Sequence, residues 1–236
     1  MDIGVGSEAE VAEAYRQLEQ VNLRLSGYRT SLGPLERLLG PGAPDHLSLL
    51  DVAGGDGRYA RHLVERLGSR RIPVTAWVLD LSPISTALAA RRRPAGERIV
   101  PVRGDARELP FSDASMDVVH TAAFFHHLGI DDARRVLAEM CRVSRRIVVV
   151  NDLVRSWVAA GSIWILTRLL SDNRLIRHDG PLSVLKAFTP VELLQLARAG
   201  GPAARDFRWR IRRTFPYRMA LIGARVEVVD SEPGAW

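Results

Sequence analysis

One apolar run that breaks into glycines constrains this chain more than any other stretch. Leu47 to Val52 reads as a buried strand, Ala53-Gly-Gly-Asp-Gly57 as a tight turn, and Arg58 to Leu67 as a helix. Glycines at a strand-to-helix turn let the backbone approach a ligand where a β-carbon would collide. The same alternation continues downstream. Strands are predicted at Val74–Leu79, Arg98–Val102, Asp117–Thr121 and Arg146–Val150, with helices at Pro83–Arg92 and Asp131–Arg142. Such a series predicts an α/β fold with a mostly parallel sheet, helices on both faces and right-handed crossovers.

The flanks differ. Ser7 to Leu25 reads as a helix opened by a Ser7/Glu10 capping box, interrupted at Gly27 and followed by a short helix Leu35–Leu39 after Pro34. Gly40-Pro-Gly-Ala-Pro44 then breaks the chain, so residues 1–40 are expected to form an N-terminal helical lid on a core of residues 41–236. Beyond the core pattern, Leu153–Leu170 is apolar nearly all round and is expected to be a buried helix with Trp157 and Trp164 on one stripe. With the loop that follows it, this forms an expected substrate side at 152–188. Thr189-Pro-Val-Glu192 opens a further helix, and Asp206–Arg213 and Arg218–Val226 read as two strands. Residues from Asp230 onward are expected to fray.

Composition excludes several classes. A single cysteine, Cys141, leaves no intrachain disulfide and no cysteine-rich zinc site. The acidic start lacks a signal-peptide pattern, and the longest apolar stretch, Trp157–Leu170, contains Arg168 and is too short for a bilayer, so a cytoplasmic protein is expected. The net charge of +6 raises nucleic acid as a partner. However, all basic residues except Lys186 are arginine and they are dispersed along the chain, a coding bias more than a binding patch. In Phe207-Arg-Trp-Arg-Ile-Arg-Arg213, strict alternation turns Phe207, Trp209 and Ile211 inward and the arginines outward, as in a half-buried strand.

Three carboxylates stand at successive strand ends. Asp51 is placed to accept from an ammonium group, Asp80 to grip ribose hydroxyls, and Asp105, in Gly104-Asp-Ala106, to take an exocyclic amine. Together they form one rim, where open α/β sheets bind ligands. Gly55-x-Gly57-x-x-Ala60 also fits a dinucleotide fingerprint, but Asp51 beside the turn disfavours a pyrophosphate, and no segment remains for a separate substrate domain.

Taken in order, Asp51-x-Ala53-x-Gly55-x-Gly57, Asp80-Leu81-Ser-Pro83, Gly104-Asp-Ala106 with Leu109-Pro-Phe111, Asp117-Val-Val and His126-His-Leu128 resemble the class I S-adenosylmethionine-dependent methyltransferases, from about Leu47 to Val150. The resemblance implies a Rossmann-like seven-stranded sheet whose last strand inserts antiparallel. It also implies S-adenosylmethionine as cofactor, held by the glycine turn (Ala53, Gly55, Gly57) with Asp51, by Asp80 at the ribose, by Asp105 at adenine, and by Thr121 and Ala122 on the methionine side, with Leu81 and Ala106 as further cofactor-binding residues. Ala53 departs from the family's commonest glycine. Asn22–Arg29 resembles the N-terminal lid of bacterial small-molecule members, with Tyr28 and Arg29 closing over the cofactor and Arg29 facing its carboxylate.

Methyl transfer rests chiefly on positioning, and a phenol or amine acceptor gains from a base titrating near neutrality. His126 and His127 after the fourth strand, and His178 beside Asp179, are the candidate bases. His120 is expected to be packed, and His46 and His62 to lie on the surface. Aromatic residues Tyr28, Phe124, Phe125, Trp157 and Trp164 suit an apolar or aromatic small-molecule acceptor, with oxygen the first choice of atom and secondary metabolism the setting. No metal is expected, and a homodimer is left open. A non-catalytic cofactor-binding regulator or subunit is an alternative, and an RNA methyltransferase ranks below it.

Overall fold

A computed structural model describes residues 7–39, 44–69, 72–92, 98–162 and 182–231. Seven strands form one sheet: β1 Leu47–Val52, β2 Val74–Asp80, β3 Ile99–Arg103, β4 Met116–Ala122, β5 Ser144–Leu153, β6 Phe207–Thr214 and β7 Arg218–Arg225. Their order is β3-β2-β1-β4-β5-β7-β6. β1 to β5 run parallel, and β7 inserts antiparallel between β5 and β6. The order reverses between β1 and β4, which opens a crevice at their carboxyl ends.

Helices cover both faces. α1 is Glu8–Arg24, α2 Gly27–Leu38, α3 Arg58–Gly68, α4 Pro83–Arg91, α5 Ile130–Val143, α6 Pro190–Arg198, α7 Pro202–Arg205 and α8 Val226–Ser231. Strand alternation divides the core. Leu50, Val119, Val148, Val150 and Leu221 pack with Val136 and Leu137 of α5 and Leu193 of α6. Leu49, Val118, Val149 and Ala220 pack with Leu32 and Leu35 of α2 and Leu63 of α3. At the far edge, Gly223 lies opposite Trp209 in register, and a β-carbon there would stand 2.5 Å from the Trp209 ring.

The predicted capping boxes of α1 and α6 are both present. Three expectations fail. Pro34 lies inside α2, which runs unbroken from Gly27, because Leu32, Leu35 and Leu38 bury one continuous stripe against the sheet. β5 continues to Leu153, paired with Arg218, so the segment expected to be helical begins as strand and turns helical only at 157–162. Trp157 there is 82% exposed, because its side chain points away from the small cluster formed by Ala159, Ala160 and Val184. Val226–Ser231 forms α8, tied to β6 by the Val226 N–H donating to Asp206 O at 3.0 Å. No helix among the described residues is long and apolar enough to cross a membrane. Trp164, Arg168, His178 and Asp179 lie outside the described residues.

Candidate active site

The glycine turn carries the geometry the sequence implied. Gly55 and Gly57 hold φ of +59° and +78°, a region that glycine enters without steric cost. Ala53 also sits there, with φ of 55°. Asp80 closes the turn from β2: one carboxylate oxygen accepts the Gly55 N–H and the other the Ser82 N–H, each at 2.9 Å. Burial, reinforced by the charge of Asp51, nevertheless lifts the Asp80 carboxyl above the ordinary carboxylate range. Leu81, beside it, is 61% exposed and offers an apolar shelf.

A cavity of 60 Å³ lies between this turn and α1, lined by Asn22, Tyr28, Asp51, Ala53, Arg58 and Ala122 among others. α1 lies directly over the turn. A β-carbon on Gly55 would stand 2.5 Å from the Tyr15 ring, and the Tyr15 hydroxyl is 2.7 Å from Ser85 Oγ. Salt bridges hold the helix down, Glu8 to Arg91 and Glu19 to Arg58.

Below the cavity a polar network crosses the sheet. Asp51 Oδ1 meets His120 Nδ1 at 2.7 Å, and His120 Nε2 meets Ser31 Oγ of α2 at 2.8 Å. Asn151 donates from Nδ2 to Ser31 Oγ, Tyr59 OH and the Gly27 carbonyl, and its Oδ1 faces Arg218 at 3.4 Å. Arg218 donates to Asn22 Oδ1 at 2.7 Å, which brings α1 into the same network. Asp51 Oδ2 is buried without a hydrogen-bond partner among the described residues.

On the opposite face stands a second pair. His126 Nδ1 and Asp152 Oδ1 are 2.7 Å apart, and the His126 backbone N–H donates to Asp152 Oδ2 at 2.9 Å. Burial would raise the Asp152 carboxyl, but the charge and hydrogen bonds of His126 outweigh it and hold the group below its ordinary value. His126 is buried, and its Nε2 makes no hydrogen bond among the described residues.

The candidate residues therefore separate. Tyr28, Asp51, Ala53, Gly55 and Ala122 line one cavity, and Asp80 braces it. Tyr28 also stacks on His62, which is half-buried and not a surface residue. Arg29 does not join the cavity; it is exposed, one helical step from buried Tyr28 and Thr30. Thr121 faces the other side of the sheet, fully buried, its hydroxyl donating to Val52 O at 2.7 Å, so Ala122 and Ala123 form that wall instead. Asp105 stands at the rim but is forked by Arg107, at 2.7 Å to Nη2, which holds its carboxyl low. Ala106 is in the core, and His127 is exposed, its ring 4.1 Å from that of His126. Tyr15, Asn22, Asn151, Asp152 and Arg218 were missed. Asp152 had a signal, since an acid just past an apolar strand stands on the same rim as Asp51.

Residues 49–146 match the family model described as Methyltransferase domain. A demethylmenaquinone methyltransferase of Deinococcus radiodurans is 32% identical over 179 residues, which cover 70% of this chain and 69% of that protein. The chain belongs to the class I S-adenosylmethionine-dependent methyltransferases. The demethylmenaquinone methyltransferase of Thermotoga maritima is 39% identical over 98 residues, 42% of this chain and only 39% of the relative. Human N-acetylserotonin methyltransferase, solved with S-adenosylmethionine, superposes with a TM-score of 0.65 at 16% identity, covering 93% of this chain and 56% of that one. A methyltransferase from Aquifex aeolicus gives 0.62 at 15%, covering 94% and 100%. Both share the fold.

The site fits the family's cofactor. Asp51 Oδ2, without a partner among the described residues, would accept from the ammonium group. Asp80 spends two lone pairs on backbone donors and keeps two for ribose hydroxyls.

Proposed function

We propose that this methyltransferase moves a methyl group from S-adenosylmethionine to a small hydroxylated aromatic acceptor, with oxygen as the acceptor atom. The bound cofactor supplies an electrophilic sulfonium methyl. The observation that carries the reading is the His126–Asp152 pair. With Nδ1 turned to the carboxylate, the imidazole keeps Nε2 for a proton, and the carboxylate stabilises the imidazolium once the proton has moved. A phenol that loses its proton to Nε2 becomes a strong nucleophile, and general-base help of this kind contributes roughly 10²–10⁴-fold. α1 and α2 serve as the cover that excludes water, with Tyr15 and Tyr28 on the cavity side. His127 and His178 remain rival bases.

A second reading has ring carbon as the acceptor. It is favoured by relatives named as ubiquinone/menaquinone biosynthesis C-methyltransferases, such as that of Laribacter hongkongensis, of which this chain spans 38%. The same phenolate serves both, because its charge is shared between oxygen and the ortho and para carbons. Secondary metabolism and quinone biosynthesis are accordingly the two settings.

The test is incubation of the purified chain with methyl-labelled cofactor and a panel of phenols, hydroquinones and a transfer RNA pool. Label in an aryl methyl ether supports the first reading, and label on ring carbon supports the second. Cofactor binding without transfer to any acceptor would leave the non-catalytic binder, and label in RNA would overturn both readings.

A further inference from the structure

The rim at the carboxyl end of β5 exposes apolar side chains as a group. Trp157 is 82% and Phe215 87% exposed, and Val158 and Leu23 are exposed with them. They stand on three segments that meet. The Val154 N–H donates to Tyr217 O at 2.9 Å, and Tyr217 packs against Ala159, Ala160 and Val184. The β6–β7 turn that carries Phe215 therefore lies against the helical turn that carries Trp157 and Val158. Leu23 follows Asn22, whose Oδ1 accepts from Arg218, and Arg218 pairs with Thr214 at the foot of the same turn. Single exposed apolar residues are ordinary on a protein surface, but a group of them marks a place of contact.

Arginine borders the group. Arg24 follows Leu23, Arg29 lies in the first turn of α2, and Arg213 precedes the Phe215 turn. The Gly27 carbonyl, between the first two, accepts from Asn151 near the end of β5. All three arginines are exposed, and none forms an ion pair or hydrogen bond among the described residues. Farther along β6, Arg212 lies in the field of Arg210 and of Arg37 from α2. The acids close by are engaged: Glu19 with Arg58, Glu192 with Arg155 and Asp152 with His126. We infer that this rim docks on an anionic lipid bilayer, with Trp157 and Phe215 in the interface and Arg24, Arg29 and Arg213 on the headgroups. Tryptophan suits a boundary that is apolar on one side and wet on the other, and arginine suits the negative surface. A second copy fits poorly, because a two-fold contact sets like arginines against each other. Nucleic acid would engage the arginines but give Val158 and Leu23 no apolar partner. Leu153 packs on the small cluster beneath Trp157, so a chain seated this way brings the end of β5, with Asp152 on it, close to the lipid.

The experiment is co-sedimentation of the full chain with vesicles of phosphatidylcholine, and with vesicles of phosphatidylcholine and phosphatidylserine in equal parts, at low and high salt. Binding should appear on the phosphatidylserine vesicles and weaken as salt rises. The triple variant Arg24→Gln, Arg29→Gln, Arg213→Gln should lower the partition roughly 100-fold, about fivefold for each charge near the surface. The double variant Trp157→Ser, Phe215→Ser should lower it roughly tenfold or more. Val226→Ser, beside the start of β5 at the opposite end of the sheet, should change nothing. The substituted side chains are exposed, so each variant should keep the wild-type melting curve, and the two sets test the surface independently. No sedimentation with either vesicle, or equal sedimentation with both, would overturn the inference. Binding that follows the arginines and ignores the aromatic pair would overturn it in favour of a purely ionic partner such as nucleic acid. A dimer in sedimentation velocity that Phe215→Ser dissolves would overturn it in favour of a second copy.

Discussion

Asn151 and Asp152 are neighbours in β5 and serve opposite faces of the sheet. Asn151 follows Val149 toward α2 and α3, into a network that runs from Asp51 through His120, Ser31 and Tyr59 to Arg218 and Asn22. Asp152 follows Val150 toward α5 and accepts from His126 and from the Leu153 backbone N–H. The first face joins five elements and the N-terminal helices, so its polar groups fix position. The second is a small buried pair packed beside α5, whose His126 Nε2 makes no hydrogen bond among the described residues. A period of two along one strand thus separates the network beside the glycine turn from the His126–Asp152 pair proposed as the base.

The largest expected effect breaks that division if it is wrong. His126→Ala should lower kcat roughly 10²–10⁴-fold on the acceptor found by screening, with cofactor affinity unchanged. The loss should shrink at high pH, where a phenol ionises unaided. Asp152→Asn should follow in part, and it adds a stability signature. A carboxyl held below its ordinary value contributes stability that is present above the unfolded pKa and lost as pH falls through the folded one. Acid melting curves of Asp152→Asn should therefore be flatter below about pH 4 than those of the wild type. A variant with weakened cofactor binding and normal kcat would place His126 on the wrong side of the comparison.

The other face predicts the converse. Asn151→Ala removes the donor shared by Gly27, Ser31 and Tyr59 and leaves buried groups unmatched, which costs about 2–3 kcal/mol of stability. α2 loosens with it, so the cofactor dissociation constant should rise while kcat at saturation holds. Calorimetry and a denaturant titration check both halves.

How much of this was legible follows the same line. The core strands β1 to β4 were readable to within a residue or so, because apolar runs bounded by glycine, proline and acids are local signals. So were the glycine turn and Asp80, since each sits at the end of its own strand. The network was not. Asn151 and Arg218 lie 67 residues apart and Asn22 and Arg218 lie 196 apart, and only the antiparallel insertion of β7 beside β5 brings Arg218 to Leu153. Arg29 and Thr121 each stand one position away from a residue that lines the cavity, Tyr28 and Ala122. On a helix or strand a single step reverses the face, and a motif match does not resolve that step. α2 was cut short because Pro34 was read as a breaker, when the stripe of buried leucines on either side of it outweighs the lost hydrogen bond.

A smaller effect concerns Asp80, which belongs to the glycine-turn side. Its carboxyl is raised by burial and by Asp51, so it takes up a proton at a higher pH than an exposed aspartate. Ribose hydroxyls are better bound by the charged form. Cofactor affinity should therefore begin to fall as pH drops while ordinary aspartates are still ionised, and Asp80→Asn should bind more weakly at neutral pH, by about tenfold, without that pH dependence. A wild-type affinity that is flat down to the ordinary carboxylate range would show that another group carries the ribose.

The smallest effect tests whether the cavity wall itself is strained. Ala53 and Ala123 both line the cavity with φ of 55° and 53°, where a β-carbon costs about 1–2 kcal/mol. Glycine removes that cost but gives back about 0.5–1 kcal/mol through the freedom of the unfolded chain. Ala53→Gly should thus raise the melting temperature by only about 1–3 °C. Ala114, with φ of 48° in the exposed turn before β4, is the control, since it carries the same backbone strain away from any ligand. If the two glycine variants gain equally and cofactor affinity holds in both, the left-handed alanines are turn chemistry alone. If Ala53→Gly gains stability but loses affinity while Ala114→Gly only gains, the Ala53 methyl is part of the wall that holds the cofactor, and alanine at that position is a contact that glycine cannot make.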